Sequence, residues 1–290
     1  MTVIRLSGAR TIVGYALAES LRKRVFVVVI ALTVAFLVLY GLGAHFAFRE
    51  IEDRGLTGAA FLDEQALAGG TIFGLAMFAV LFLGSVLAIF LTNGLVRGDA
   101  DSGLLQPLVV RPLGRGTMLL ARYLGAVVAT TVYVLAVYLL TLLITEVTGD
   151  WTPGHLILPG IALAGAVAIV AALSVLMSVF LAATAQGIAV FMVFGAGLVA
   201  GLLGQIGEAL SSSRLERISE VAAVALPFEA LYQGGLYLIA TDTTGFTRAA
   251  IELGPFGGSN EVGSGAVVFA IAYTAAVLAL AIRAFGRRDL

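Results

Sequence analysis

The sequence contains no cysteine. That excludes a disulfide framework, a thiolate metal site and a cysteine nucleophile. Two histidines and five methionines are too few for a dedicated copper or zinc path. Lysine is nearly absent: Lys23 stands alone, and no glycine loop precedes it. The chain therefore lacks the G-x-x-x-x-G-K-[ST] loop that cradles nucleotide phosphates, and it is not itself a P-loop ATPase. No Ser/His/Asp arrangement or HExxH set is present, which argues against a membrane hydrolase. Charge is scarce as well. Only 12% of residues are Asp, Glu, Lys or Arg, against about 25% in soluble domains. With 60% hydrophobic residues and a mean hydropathy of +1.05, the chain reads as an all-α integral membrane protein. No nucleic-acid partner is expected.

What is present is a series of long apolar runs. A spanning helix needs about 20 apolar residues, and six such spans are expected at 25–48, 66–96, 117–145, 159–183, 188–207 and 262–282, in one transmembrane domain. The run 156–207 is too long for one helix, and its break falls at the small residues 182–187. Residues 4–24 carry Leu6, Ala9, Val13, Ala16, Leu17 and Leu21 at helical spacing, with Arg10, Glu19 and Arg22 off that stripe. They read as an interfacial elbow helix rather than a cleavable signal. Residues 221–241 are apolar, but Pro227, Glu229, Gly234 and Gly235 interrupt them. A re-entrant hairpin at about 214–241, on the outer side between the fifth and sixth spans, is expected there. Gly70 with Gly74, and Gly197 with Gly201, are small-xxx-small pairs that let helix backbones approach, within the chain or across a dimer. Thr130, Thr131, Tyr133 and Tyr138 are the mild polar content of the third span; such hydroxyls bond back to the preceding turn or face a substrate. Trp151 reads as an interface anchor. Asp and Glu fall at span ends or in loops, so no proton-relay carboxylate is expected inside the membrane.

One polar island stands between the second and third spans. Residues 94–122 hold Arg97, Asp99, Asp101, Arg111, Arg115 and Arg122 around an apolar centre, Leu104-Leu105-Gln106-Pro107-Leu108. Desolvating that many charges costs several kcal/mol each, so the island sits in water or against another protein. Pro107 and Pro112 keep any helix here short. A short amphipathic piece at the membrane surface suits docking to a soluble partner; an ordinary solvated loop is the alternative.

The island's pattern is acid, small residue, Gly-Leu-Leu-x-Pro, then Arg-Pro and a basic helix start. It resembles the loop between the second and third membrane helices of type-2 ABC exporter permeases, a class that includes permeases of antibiotic efflux and of nitrous-oxide-reductase maturation. Asp99 and Asp101 stand where the family usually has Glu. Gly103, Leu104, Leu105 and Pro107 stand in its G-x-L-x-x-x-P core, Arg111 at its basic position, and Arg122 where Lys usually opens the next helix. The resemblance implies that loop 94–116 touches separate ATP-binding subunits, two copies in all. ATP and Mg would be bound there, with no cofactor in this chain. It implies a second permease copy, identical or related, in a bacterial or archaeal cytoplasmic membrane. It places the 182–187 turn, with Gln186, near the same partner. It also lines the substrate path with the second and fifth helices, making Phe191, Phe194 and Gln205 path or gate candidates; as plain chemistry the two phenylalanines are equally ordinary lipid-facing aromatics.

Charge supplies the orientation, because basic residues stay on the cytoplasmic side. With six spans and both termini inside, the outer segments hold only Arg49, Arg54, Arg214, Arg217 and Arg248; the remaining Arg and Lys fall inside. Only Glu19, Asp99, Asp101 and Asp289 of the acids fall inside. A seventh span at 221–241 would put Arg283, Arg287 and Arg288 outside. The reading is therefore the permease of an ATP-driven exporter. A scaffold or sensor anchoring a cytoplasmic partner is one alternative. A secondary carrier is another, but it would call for inverted repeats, and none is seen.

Overall fold

The computed structural model describes residues 24–54, 64–94, 115–240 and 263–287. Nearly all of the expected elbow (residues 1–23) and the centre of the expected coupling loop (95–114) lie outside the described residues. Eight helices follow in order: α1 Arg24–Arg54, α2 Glu64–Thr92, α3 Arg115–Gly149, α4 Leu158–Phe180, α5 Ala183–Ala209, α6 Ser213–Ala225, α7 Phe228–Ala240 and α8 Ser264–Gly286. Six of them, α1 to α5 and α8, are long and apolar enough to cross a membrane. They are apolar all round, and a bilayer tolerates that because every backbone group within a helix is paired.

Packing sorts the spans into centre and rim. Of the most apolar stretch of α4, 72% is buried against other helices, but only 17% of that of α1. α4 is built to be central: Ala164, Ala166, Ala171 and Ala172 keep it thin, and Val167, Ile169 and Val170 fill the gaps around it. Close approach is bought by glycine where three helices meet. A Cβ on Gly84 of α2 would lie 2.6 Å from Val134 Cγ2 of α3 and 3.1 Å from Val167 Cγ2 of α4. The Tyr138 ring of α3 lies against Gly160 in the first turn of α4, and its hydroxyl donates to the Leu156 carbonyl at 3.0 Å.

The contacts also fix which ends coincide. At one end, Gln65 Nε2 donates to the Gly149 carbonyl at 2.5 Å. The Phe48 ring covers Gly149 there, and the Trp151 indole covers Gly69 while tilting onto Phe73 at 6.1 Å. At the other end the last turn of α2 meets the first turn of α5, and Ile282 of α8 packs over Gly116 of α3. The helices thus alternate in direction, and the start of α1 and the end of α8 share one end of the bundle. Trp151, expected as an interface anchor, lies just beyond the end of α3 and is half-buried against α2.

The stretch after α5 forms two short helices. α6 and α7 have 13 residues each, too few to span singly, and Ser213–Ala225 and Phe228–Ile239 are bent by 106°. Pro227 cannot continue the α6 hydrogen-bond ladder, and Leu226 leaves the helical region at φ −135°, ψ 68°. α6 buries no residue and exposes Arg214, Arg217 and Glu220. α7 is the opposite: Phe228, Glu229, Tyr232, Gln233, Leu236 and Ile239 are all buried.

Candidate functional site

Of the residues expected to touch a soluble partner, Asp99, Asp101, Leu104, Leu105, Pro107 and Arg111 lie outside the described residues. Gln186 is described, and it is not on the surface. Expected on the coupling face, it is 0% exposed. The turn between α4 and α5 is tight, at Leu181 and Ala182, so the first turn of α5 is pressed back onto α2 and α4. Its amide is fully used. Nε2 donates to the Thr92 carbonyl, the Ser174 carbonyl and Ser174 Oγ, each at 3.0 Å. Thr92 Oγ1 and Ser174 Oγ lie 2.7 Å apart. Oε1 accepts the Gly94 N–H at 3.0 Å. Gly94 ends α2 in the left-handed region, φ 70°, which glycine enters without steric cost. Gln186 therefore ties three things together: the end of α2 where the coupling loop begins, the middle of α4, and the start of α5.

The path candidates behave differently from one another. Phe194 is 3% exposed, stacked on Phe228 of α7 at 5.4 Å and tilted to Phe82 of α2 at 6.4 Å. It is packed between α2, α5 and α7. Phe191 is half-buried against the same core, and Gln205 is half-buried higher on α5. The glycine pairs also find their use. Gly70 is buried, and a Cβ on Gly74 would make ordinary contact with Leu236 at 3.8 Å. Gly197 admits Phe228, whose ring would lie 2.5 Å from an added Cβ. Gly201 admits the Glu229 carboxylate, Gly204 admits Ser219, and Gly207 admits the backbone of Glu216. The glycine face of α5 is occupied by the chain's own α6–α7 pair. The Gly197–Gly201 face is thus a helix-packing seam within the chain and is not free for a second copy.

Three of the four third-span hydroxyls, those of Thr130, Tyr133 and Tyr138, are hydrogen-bonded within the chain. Thr130 Oγ1 donates to the Ala126 carbonyl at 3.0 Å, and the Tyr133 hydroxyl shares a 2.5 Å hydrogen bond with Thr33 of α1. The first bond stays within α3, and the second ties α3 to α1.

What sequence reasoning missed is Glu229. It is 7% exposed, in the first turn of α7, with Gln233 Nε2 donating to its Oε1. Its neighbour Tyr232 is 3% exposed, and the buried hydroxyl has no partner among the described residues. Both line a cavity of about 130 Å³ with Gln205, Phe78, Leu198, Val199 and Leu202. The one available signal was an acid at the start of an apolar helix, where it reads equally well as a helix-start residue. A larger groove of about 740 Å³ lies between α4, α7 and α8. Its lining is almost wholly apolar, as lipid chains require.

Residues 10–290 match the family described as ABC-2 family transporter protein. The chain belongs to that family. The permease is therefore a multi-pass membrane component of an ABC transporter, and not its ATPase. Permeases of this family generally work with ABC ATP-binding subunits. No curated protein matches the permease.

Proposed function

We propose that the permease forms the substrate path of an ATP-driven exporter as a dimer, with itself or a related chain, above two ATP-binding subunits that dock on loop 94–116. The observation that carries this reading is the Gln186 network. It joins Gly94, where the loop leaves α2, to the first turn of α5. A push on the loop is thereby passed to α5, which packs most closely on α6. α5 and α6 move together, and α7 is linked to them through Phe228 and Glu229. The other face of α5 carries Ile188, Met192, Val199, Leu202 and Ile206, all exposed, and beside it Phe82 of α2 is exposed too. A second copy on this α2–α5 face would enclose an apolar path. The shared end of the bundle that holds the start of α1, the end of α8 and the 94–116 loop is cytoplasmic in this reading, because the basic residues gather there. The α6–α7 pair then lies at the outer end as a re-entrant element.

Charge reversal tests the docking. In a purified complex with its ATP-binding subunits, Asp99→Lys with Asp101→Lys is expected to lower the ATPase rate about tenfold or more, the scale of about 1.4 kcal/mol. An unchanged rate and partner affinity would overturn the docking assignment.

A further inference from the structure

The cavity at the α2–α5–α7 junction has a polar content that the packing does not explain. Glu229 is buried, yet among the described residues no Arg, Lys or His pairs with it, and Gln233 is its one recorded hydrogen-bond partner. An ionised carboxylate held out of water without a counter-ion costs several kcal/mol. Tyr232, one turn along the same helix, buries a hydroxyl with no partner among the described residues, a further cost of about 1–3 kcal/mol. Both line the same space of about 130 Å³. Its walls are Phe78, Leu198 and Leu202, and Val199 at its mouth is 54% exposed. A pocket that is mostly apolar, with a few convergent polar groups, is the usual form of a small-molecule site. Gly197 and Gly201 make room for Phe228 and Glu229 specifically, so the carboxylate is seated by design of the α5 surface.

We propose that this cavity binds the ammonium group of an amphiphilic amine, with the apolar body of the ligand lying along Leu198, Val199 and Leu202. The carboxylate of Glu229 accepts from the ammonium, and charge assistance makes that hydrogen bond a strong one. The Tyr232 hydroxyl oxygen accepts a second N–H and loses its orphan status. The rings of Tyr232 and Phe78 suit a cation further through their π faces. A metal ion does not fit the lining, which offers one carboxylate with only the Gln205 amide and the Tyr232 hydroxyl beside it, and no cluster of three or more His, Cys, Asp or Glu occurs among the described residues. Resting on the exporter reading for its place beside the α2–α5 path, the site gives that path a substrate class, amines with an apolar body.

The test uses the full chain in lipid nanodiscs and radiolabelled decylamine, with decanol and decanoate as competitors. Decylamine is expected to bind about tenfold or more tighter than decanol, the scale of about 1.4 kcal/mol, and decanoate not to compete. Glu229→Gln, which keeps shape and hydrogen bonding, is expected to erase the preference for the amine. Tyr232→Phe is expected to weaken amine binding about threefold. Val199→Trp, which fills the mouth and leaves the carboxylate untouched, is expected to block decylamine and so guards against Glu229→Gln acting through misfolding. Equal competition by all three probes, or an amine preference that survives Glu229→Gln, overturns the site. Adding the ATP-binding subunits separates it from the exporter reading. Amine binding that raises ATPase rate supports both. Amine binding without stimulation keeps the site and removes it from the transport path. A loop-dependent ATPase with no amine preference keeps the exporter and sinks the site.

Discussion

Gln186→Leu is expected to leave the chain inserted in the membrane and to uncouple it. The side chain fits the space, but every bond that joins the end of α2 to the start of α5 is lost. The Thr92 carbonyl loses its Gln186 partner in a buried setting, and the Gly94 N–H in a part-buried one. Hydrogen bonds between membrane helices average about 0.6 kcal/mol and reach about 1.7, while a buried unsatisfied group costs about 1–3. Together these give a destabilisation of about 2–4 kcal/mol, read as a lower thermal midpoint of the purified chain. The larger effect is functional. With the tie cut, ATP hydrolysis by the bound subunits is expected to continue while substrate no longer changes its rate. A variant with wild-type midpoint and wild-type substrate response would remove Gln186 from the transmission route.

A second large effect is expected at Gly201. A leucine there must occupy the volume held by the Glu229 carboxylate and the Gln233 amide. Both are buried on the inner face of α7, and the room for the carboxylate to swing away is limited to the adjoining cavity of about 130 Å³. Overpacking a tight contact costs about 1–3 kcal/mol, and here the cheapest relief is for α7 to leave α5. The absence of native cysteine makes this directly measurable. A single cysteine at Phe228, 0% exposed on α7 and seated over Gly197 of α5, is expected to react with a maleimide about tenfold faster in Gly201→Leu, a shift of about 1.4 kcal/mol in the docking equilibrium. Gly195→Leu is the control. It lies on the same helix, but an added Cβ there meets open space, and labelling is expected to stay at the parent rate. Equal labelling in both variants would mean that the glycine seam does not hold α7.

These two positions show what could be read from the chain and what could not. The all-helical class and the six spans followed from apolar run length, a property each segment carries by itself. The break between α4 and α5 was marked by small residues for the same local reason. Which surface a residue faces is not local. Gln186 sits in a run of small residues that looks like an exposed turn, and only the return of α5 onto α2 and α4 buries it. Gly197 and Gly201 announce close approach, but the sequence does not say to what, and the partner is a helix of the same chain, reached after the turn at Leu210–Ser212. Phe194 looked like a gate by its position and is a stacking partner by its neighbours. Glu229 was hidden by its own context: an acid beside a proline at the start of an apolar helix reads as a helix-start residue, and its burial depends on the glycine face of another helix.

The central claim, that this permease is driven by separate ATP-binding subunits through loop 94–116, is tested most directly by co-purification. The tagged chain is extracted from its native membrane in mild detergent, and the proteins that elute with it are identified by mass spectrometry and quantified. The account predicts a P-loop ATPase at one copy per permease, lost when Asp99 and Leu104 are both replaced. A permease that elutes without a P-loop ATPase, or one that retains it undiminished after those replacements, would contradict the account.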